Sequence, residues 1–296
     1  MAEQTHSDGR PPEGAAADWT IPQNWSAYSE TDHRTWDTLF ERQAKLLPGR
    51  ASEAYLRGLD VLKLSKPGIP DFEELSERLM KLTGWQVVAV PGLVPDDVFF
   101  DHMANRRFVA GNFIRRPDQL DYLQEPDVFH DVFGHVPMLA DPRFADYLEA
   151  YGRGGLRALE LGALKKLARL YWYTVEFGLV DEPEGLRIYG AGIVSSYSES
   201  TFALTDPSPN RIRFDLERVM QTDYRIDDFQ QTYFVIPSFD ELLRVTVESD
   251  FEPIYERILD KPDIAIDTVR DDDSVITHGT QEYARAKAGA KAAEPA

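Results

Sequence analysis
The chain has 296 residues, 43% of them hydrophobic, and 51 Asp and Glu against 32 Lys and Arg give it a net charge of −19. That length suffices for one large core, while the acidic balance disfavours nucleic acid and anionic membrane as partners. Cysteine is absent, which excludes disulfides and thiol catalysis and fits a cytoplasmic setting; no apolar run approaches the ~18 residues of a membrane span.

Residues 1–18 are polar, rich in Gly, Pro and Ala, and lack the apolar core of a signal peptide; they are expected to be a disordered extension. Order is expected from Trp19. Ser29 and Asp32 stand at capping-box spacing, and Trp36, Leu39, Phe40 and Leu47 follow at helical spacing. A second helix is predicted over 51–64 and a third from Asp71 to Leu82. Residues 85–90 read as a strand. Prolines at both ends stiffen the loop 91–95, which leads into a helix over 96–106 and a short strand over 108–114. Beyond the motifs treated next, 141–151 reads as a helix and Gly152-Arg-Gly-Gly155 as a flexible turn. Glycines in Tyr189-Gly-Ala-Gly192 suggest close backbone approach; no Gly-Lys-Ser follows, so this is no phosphate loop. Helices are expected over 214–222, 238–248 and 251–259, with a partial strand in 228–236. The catalytic core is placed at 19–270, and 271–296 is read as a mostly disordered tail. The fold class is therefore mainly α, a single domain with a small β component.

Two of the six histidines, His130 and His135, fall in Glu125-Pro-Asp-Val-Phe-His-Asp-Val-Phe-Gly-His-Val-Pro137. Residues five apart on an unbroken α-helix point roughly 140° away from each other. Both rings can meet one ion only if the helix unwinds, which Gly134 permits. A third candidate, Glu176, is the one charge in the aromatic run 170–178. A buried carboxylate needs a cation, and no Lys or Arg occurs from 170 to 186. Two imidazoles and a carboxylate form the facial triad of non-haem Fe(II) oxygenases. The same set also makes catalytic zinc sites, so a zinc hydrolase with Asp131 as general base stays open, as does a non-catalytic scaffold around a structural metal.

The strings 124–137, 170–179 and 189–196 closely resemble the pterin-dependent aromatic amino acid hydroxylases, above all the short single-domain phenylalanine 4-hydroxylases typical of bacteria. The likeness runs from about 25 to about 250. It implies an Fe(II)- and tetrahydropterin-dependent monooxygenase that converts L-phenylalanine and O2 to L-tyrosine, with the same chemistry on tryptophan or tyrosine as the alternative. It implies that His130, His135 and Glu176 hold the iron, and that Leu93, Phe99, Asp131, Ala168 and Tyr171 meet the pterin. Arg115 would clamp the substrate carboxylate, which suits a guanidinium fork. Trp172 would wall the substrate ring, Ser195 would meet its amino-acid end, and Glu199 would stand behind His135. Taken by itself, Phe99 reads rather as core packing beside Phe100 and Met103, and Ser195 as readily as a capping or turn hydroxyl. Many relatives carry Glu where Asp131 stands. Neither a regulatory domain nor a long heptad helix is recognisable, so an unregulated monomer is expected.

Overall fold
A computed structural model describes residues 10–121 and 125–293. The first helices form where side-chain spacing and caps place them. α1 (Glu30–Leu46) opens on a reciprocal capping box: the Ser29 hydroxyl accepts the Asp32 N–H and the Asp32 carboxylate accepts the Ser29 N–H. Ser52 caps α2 (Glu53–Val61), and Asp71 caps α3 (Phe72–Leu82). β1 (Gln86–Val90), α4 (Asp96–Ala104) and β2 (Arg107–Gly111) make one right-sized crossover unit, with the two strands parallel and Gln86 opposite Arg107. β2 stops at Gly111, short of the expected 114, and its last N–H donates to the Asp131 carboxylate at 2.8 Å.

The expected turn at 152–155 is instead the middle of a long helix, α5 (Pro142–Glu160). Its glycines are there for contact rather than flexibility. A Cβ at Gly152 would stand 2.5 Å from the Ala104 nitrogen, and one at Gly155 would stand 2.0 Å from the Phe100 ring. These two positions let α5 lie directly on α4.

After α6 (Leu164–Tyr171) the chain forms β3 (Leu179–Glu182), β4 (Gly185–Ile188), α7 (Ala191–Val194), α8 (Tyr197–Thr205), β5 (Asn210–Arg213), α9 (Leu216–Gln221), β6 (Thr232–Ile236), α10 (Phe239–Glu248) and α11 (Phe251–Ile258). β7 (Val275–Thr277) and α12 (Glu282–Ala293) follow. The second sheet has the order β4-β3-β6-β5-β7. Its strands span three to five residues each, too short for alternation to show in the sequence.

The tail expectation is corrected here. Residues 271–293 carry β7, which pairs antiparallel with β5, and the Asp273 carboxylate forms a buried ion pair with Arg218 at 2.8 Å. A composition of Asp, Ala and Lys hid contacts that depend on partners far away in sequence. Residues 1–9 and 294–296 lie outside the described residues, as does Gln124. Asp18 is placed, with its carboxylate 3.0 Å from Arg107. Among the described residues no helix is long and apolar enough to cross a membrane.

The core gathers on the segment that carries the histidine pair. Phe129 and Phe133 stack at 4.6 Å, and the edges of Trp36 and Phe40 meet them at 5.2 and 5.6 Å. Full burial of each such ring contributes about 1.5–3 kcal/mol.

Candidate metal centre and substrate clamp
Phe129–His135 is wound as a π-helix, and so is Trp172–Glu176 at the end of α6. Hydrogen bonding from i to i+5 widens each turn, so side chains five apart fall near one face instead of splaying. That is how His130 and His135 meet. Gly134 contributes differently from the hinge expected of it: a Cβ there would press to 3.0 Å on the Ala191 carbonyl oxygen. Gly190 is tighter still, with a virtual Cβ 2.4 Å from the Glu176 carbonyl oxygen. The Tyr-Gly-Ala-Gly stretch thus lies against the backbone of both donor segments, and the Gly192 N–H reaches the Glu176 carboxylate.

His135 Nε2 stands 3.3 Å from His130 Nε2 and 3.1 Å from Glu176 Oε1; His130 Nε2 is 3.6 Å from Glu176 Oε2. Adjacent donors on a single ion with bonds of about 2.1 Å are separated by about 3 Å. The three groups fit one ion, and among the described residues they form the one such cluster. Burial drives His130 down to about 4, against the pull of Glu176, so its imidazole is neutral and available at pH 7. Burial pushes Glu176 upward, but His135 and His130 facing it hold its carboxyl below the usual range.

One hydrogen bond fixes the His130 tautomer. The Ser195 hydroxyl donates to the Ala191 carbonyl at 2.7 Å, so toward His130 Nδ1, 3.0 Å away, it can only accept. Nδ1 therefore carries the proton and Nε2 offers its lone pair to the cluster. The resemblance had given Ser195 to the substrate and Glu199 to His135. In the structure it is Ser195 that meets the His130 imidazole, and Glu199 has other partners. Glu199 accepts from the Tyr233 hydroxyl at 2.7 Å and the Gln230 N–H at 3.4 Å, and burial raises it to about 7. His135 Nδ1 is buried with no hydrogen-bond partner among the described residues. Glu199 sits on α8 and is tied by these bonds to Tyr233 of β6 and to Gln230 just before it.

Arg115 is only 9% exposed and Asp127 is fully buried. Arg115 Nε and Nη2 each lie 2.8 Å from an Asp127 oxygen, and the Arg115 N–H adds a third bond at 2.9 Å. Asp127 Oδ1 also accepts the His130 N–H at 3.0 Å. One carboxylate therefore orients the Arg115 guanidinium and anchors the start of the turn that carries His130. Sequence reasoning passed over Asp127. Its place three residues before His130, after a proline, is a helix N-cap signal, but the pairing with Arg115 had no sequence mark. Arg116 pairs with Asp118 in solvent.

Tyr171 links Phe99 (ring centroids 5.8 Å apart) to His135 (6.2 Å). Phe99 is part-exposed, unlike Phe100 behind it. Burial raises Asp131 to about 7, with the Gly111 N–H opposing the rise. Ala168 precedes Tyr171 on α6, and Leu93 is exposed in the loop before α4. Trp172 stacks on Tyr224 at 4.4 Å and meets Phe177 at 4.7 Å, and its indole N–H donates to the Gln230 side chain at 3.0 Å. Neither Tyr224 nor Gln230 had a signal in the sequence.

The model of the family "Biopterin-dependent aromatic amino acid hydroxylase" matches residues 19–257. The phenylalanine-4-hydroxylase of Caulobacter vibrioides is 66% identical over 276 residues, covering 93% of this chain and 94% of that protein. The enzyme of the same name from Ralstonia nicotianae is 60% identical over 265 residues, covering 90% and 84%. The iron- and phenylalanine-bound crystal structure of Chromobacterium violaceum phenylalanine hydroxylase is 56% identical with a TM-score of 0.84, covering 88% of this chain and 95% of that one.

Proposed function
Because the chain belongs to the biopterin-dependent aromatic amino acid hydroxylases, we propose that it hydroxylates L-phenylalanine to L-tyrosine with O2, ferrous iron and a tetrahydropterin. The convergence of His130, His135 and Glu176 beside the Arg115–Asp127 clamp carries this reading. Family membership decides between the iron oxygenase and the zinc hydrolase that the donor set alone left open.

His130, His135 and Glu176 would hold the iron, which would supply the site for oxygen activation. Iron and the reduced pterin, once bound, supply oxygen activation and the two electrons that divide O2 between the pterin and the ring. The protein's own work is placement. Ser195 keeps the His130 lone pair aimed at the centre. Asp127 takes one edge of the Arg115 guanidinium, leaving Nη1, 3.4 Å from the Leu120 carbonyl, on the edge that meets the substrate carboxylate. Trp172 forms the wall for the aromatic ring. Phe99 and Tyr171 offer aromatic surface to the pterin, with Leu93, Asp131 and Ala168 completing that side. Aromatic rings pack beside the donors, Phe108 and Tyr171 against His135, and a bound substrate and pterin would complete the exclusion of water. Small molecules are its only ligands in this reading; a net charge of −19 favours a monomer through self-repulsion, and the absence of cysteine fits the cytoplasm.

The test is oxygen uptake and product analysis with Fe(II), tetrahydrobiopterin and each aromatic amino acid in turn. Phenylalanine should give tyrosine at the highest kcat/KM. Oxygen uptake that is independent of phenylalanine, or higher kcat/KM on tryptophan or tyrosine, refutes the assignment.

A further inference from the structure
We propose that the C-terminal segment from β7 into α12 is a strap that shapes the substrate pocket: Tyr283 and Lys287 fix Asp228, and with it the loop whose Gln230 orients Trp172. The inference rests on reading Trp172 as the substrate wall. The strap lies beyond residue 257, where the family match ends.

The strap is laid hard on the sheet. Gly279 donates its N–H to Asn210 Oδ1 at 2.9 Å, where a Cβ would stand 2.3 Å from the Ser208 carbonyl oxygen. The Gln281 amide donates to the Gln231 carbonyl at 3.1 Å, and the Tyr283 N–H to Ser208 Oγ at 3.0 Å. The Tyr283 ring is 5.2 Å from both Phe202 and Phe229. Its hydroxyl donates to Asp228 Oδ1 at 3.0 Å, and Lys287 Nζ reaches the same oxygen at 2.7 Å.

Asp228 is a nearly buried carboxylate, 4% exposed. Besides the strap it has Arg225 at 3.6 Å and the N–H of Phe229 at 2.9 Å. Two residues on, the Gln230 amide is set unambiguously. Its Nε2 donates to the carbonyls of Arg225 (3.0 Å) and Asp228 (3.4 Å), so its Oε1 faces the Trp172 N–H. An indole has one donor, and Gln230 takes it. Tyr283 and Lys287 are thus positioning residues, acting through Asp228 and Gln230 on a side chain that touches substrate.

The experiment replaces Tyr283→Phe and Lys287→Met together in the full chain, keeping ring and stem but removing both bonds to Asp228. L-phenylalanine binding is measured by calorimetry on cobalt-loaded protein without pterin, alongside cobalt affinity and the pterin KM. Loss of one hydrogen bond's worth of ordering should raise the phenylalanine Kd about three- to tenfold, with cobalt affinity and pterin KM within about twofold. In a Trp172→Phe background the double change should add nothing. A wild-type Kd overturns the strap; an equal loss in the Trp172→Phe background reduces it to general stability and also overturns it. Should the pair unfold, Lys287→Met alone, at a part-exposed position, must still raise Kd, and a wild-type value there counts against the strap. If Trp172→Phe itself binds phenylalanine as tightly as wild type, the wall reading fails instead.

Discussion

Asp127→Ala isolates the link between Arg115, the proposed substrate clamp, and the turn that carries His130 and His135. The substitution removes three bonds to Arg115 and one to the His130 N–H, all between 2.8 and 3.0 Å. What remains for the guanidinium is the Leu120 carbonyl at 3.4 Å and the Phe129 ring face at 5.8 Å. A charge this buried, left without its partner, costs about 3–5 kcal/mol. Against a total stability of about 5–15 kcal/mol, the variant should fold but unfold at markedly lower urea. The companion Asp127→Leu with Arg115→Met removes both charges and should recover a large part of the loss, because no ion is then stranded. Urea unfolding followed by circular dichroism gives the stabilities, and calorimetry gives phenylalanine binding, which should fall at least tenfold in the single variant as the fork loses its orientation. A destabilisation below about 1 kcal/mol, the size of an ordinary exposed pair, with phenylalanine binding intact, would refute the argument.

Ser195→Ala should lower cobalt or ferrous affinity about 10- to 100-fold by freeing the His130 ring, read by equilibrium dialysis; unchanged affinity would mean that the hydroxyl does not set the tautomer. Phe99→Ala should raise the pterin KM while leaving phenylalanine binding near wild type, and unchanged pterin kinetics would return Phe99 to the core. Glu199 is an acid raised to about 7 by burial, so the folded state holds its proton longer than the unfolded chain does. Stability should therefore fall as pH rises from the unfolded value of about 4.3 through 7, by about 3 kcal/mol. Glu199→Gln, which keeps an acceptor for Tyr233, should flatten that slope in urea midpoints at pH 5 and 8. A variant with the wild-type slope would show that another group is responsible.

Much of this was open to reading from the sequence. Caps at Ser29 and Asp71, the apolar spacing of α1 and α3, and the three ligand candidates follow from local rules, since a cap or a helix face is decided within a few residues. Gly152 and Gly155 were misread because glycine marks both turns and close contacts, and only the neighbouring α4 distinguishes them. The strap was missed because its partners, Asn210, Ser208 and Asp228, come from elsewhere in the chain while its own composition resembles a solvated tail. The π winding at 129–135 could be inferred only as a need for unwinding. Which groups stand behind the ligands depended on atoms: Ser195, rather than Glu199, touches an imidazole.

The donors come from two turns separated in the chain, the first carrying His130 and His135 and the second ending at Glu176. A single ion held by all three would tie these distant segments together in a polypeptide that has no cysteine for any other covalent-like tie. Resistance to heat and proteases should then rise with iron supply, added to what the packed core already gives.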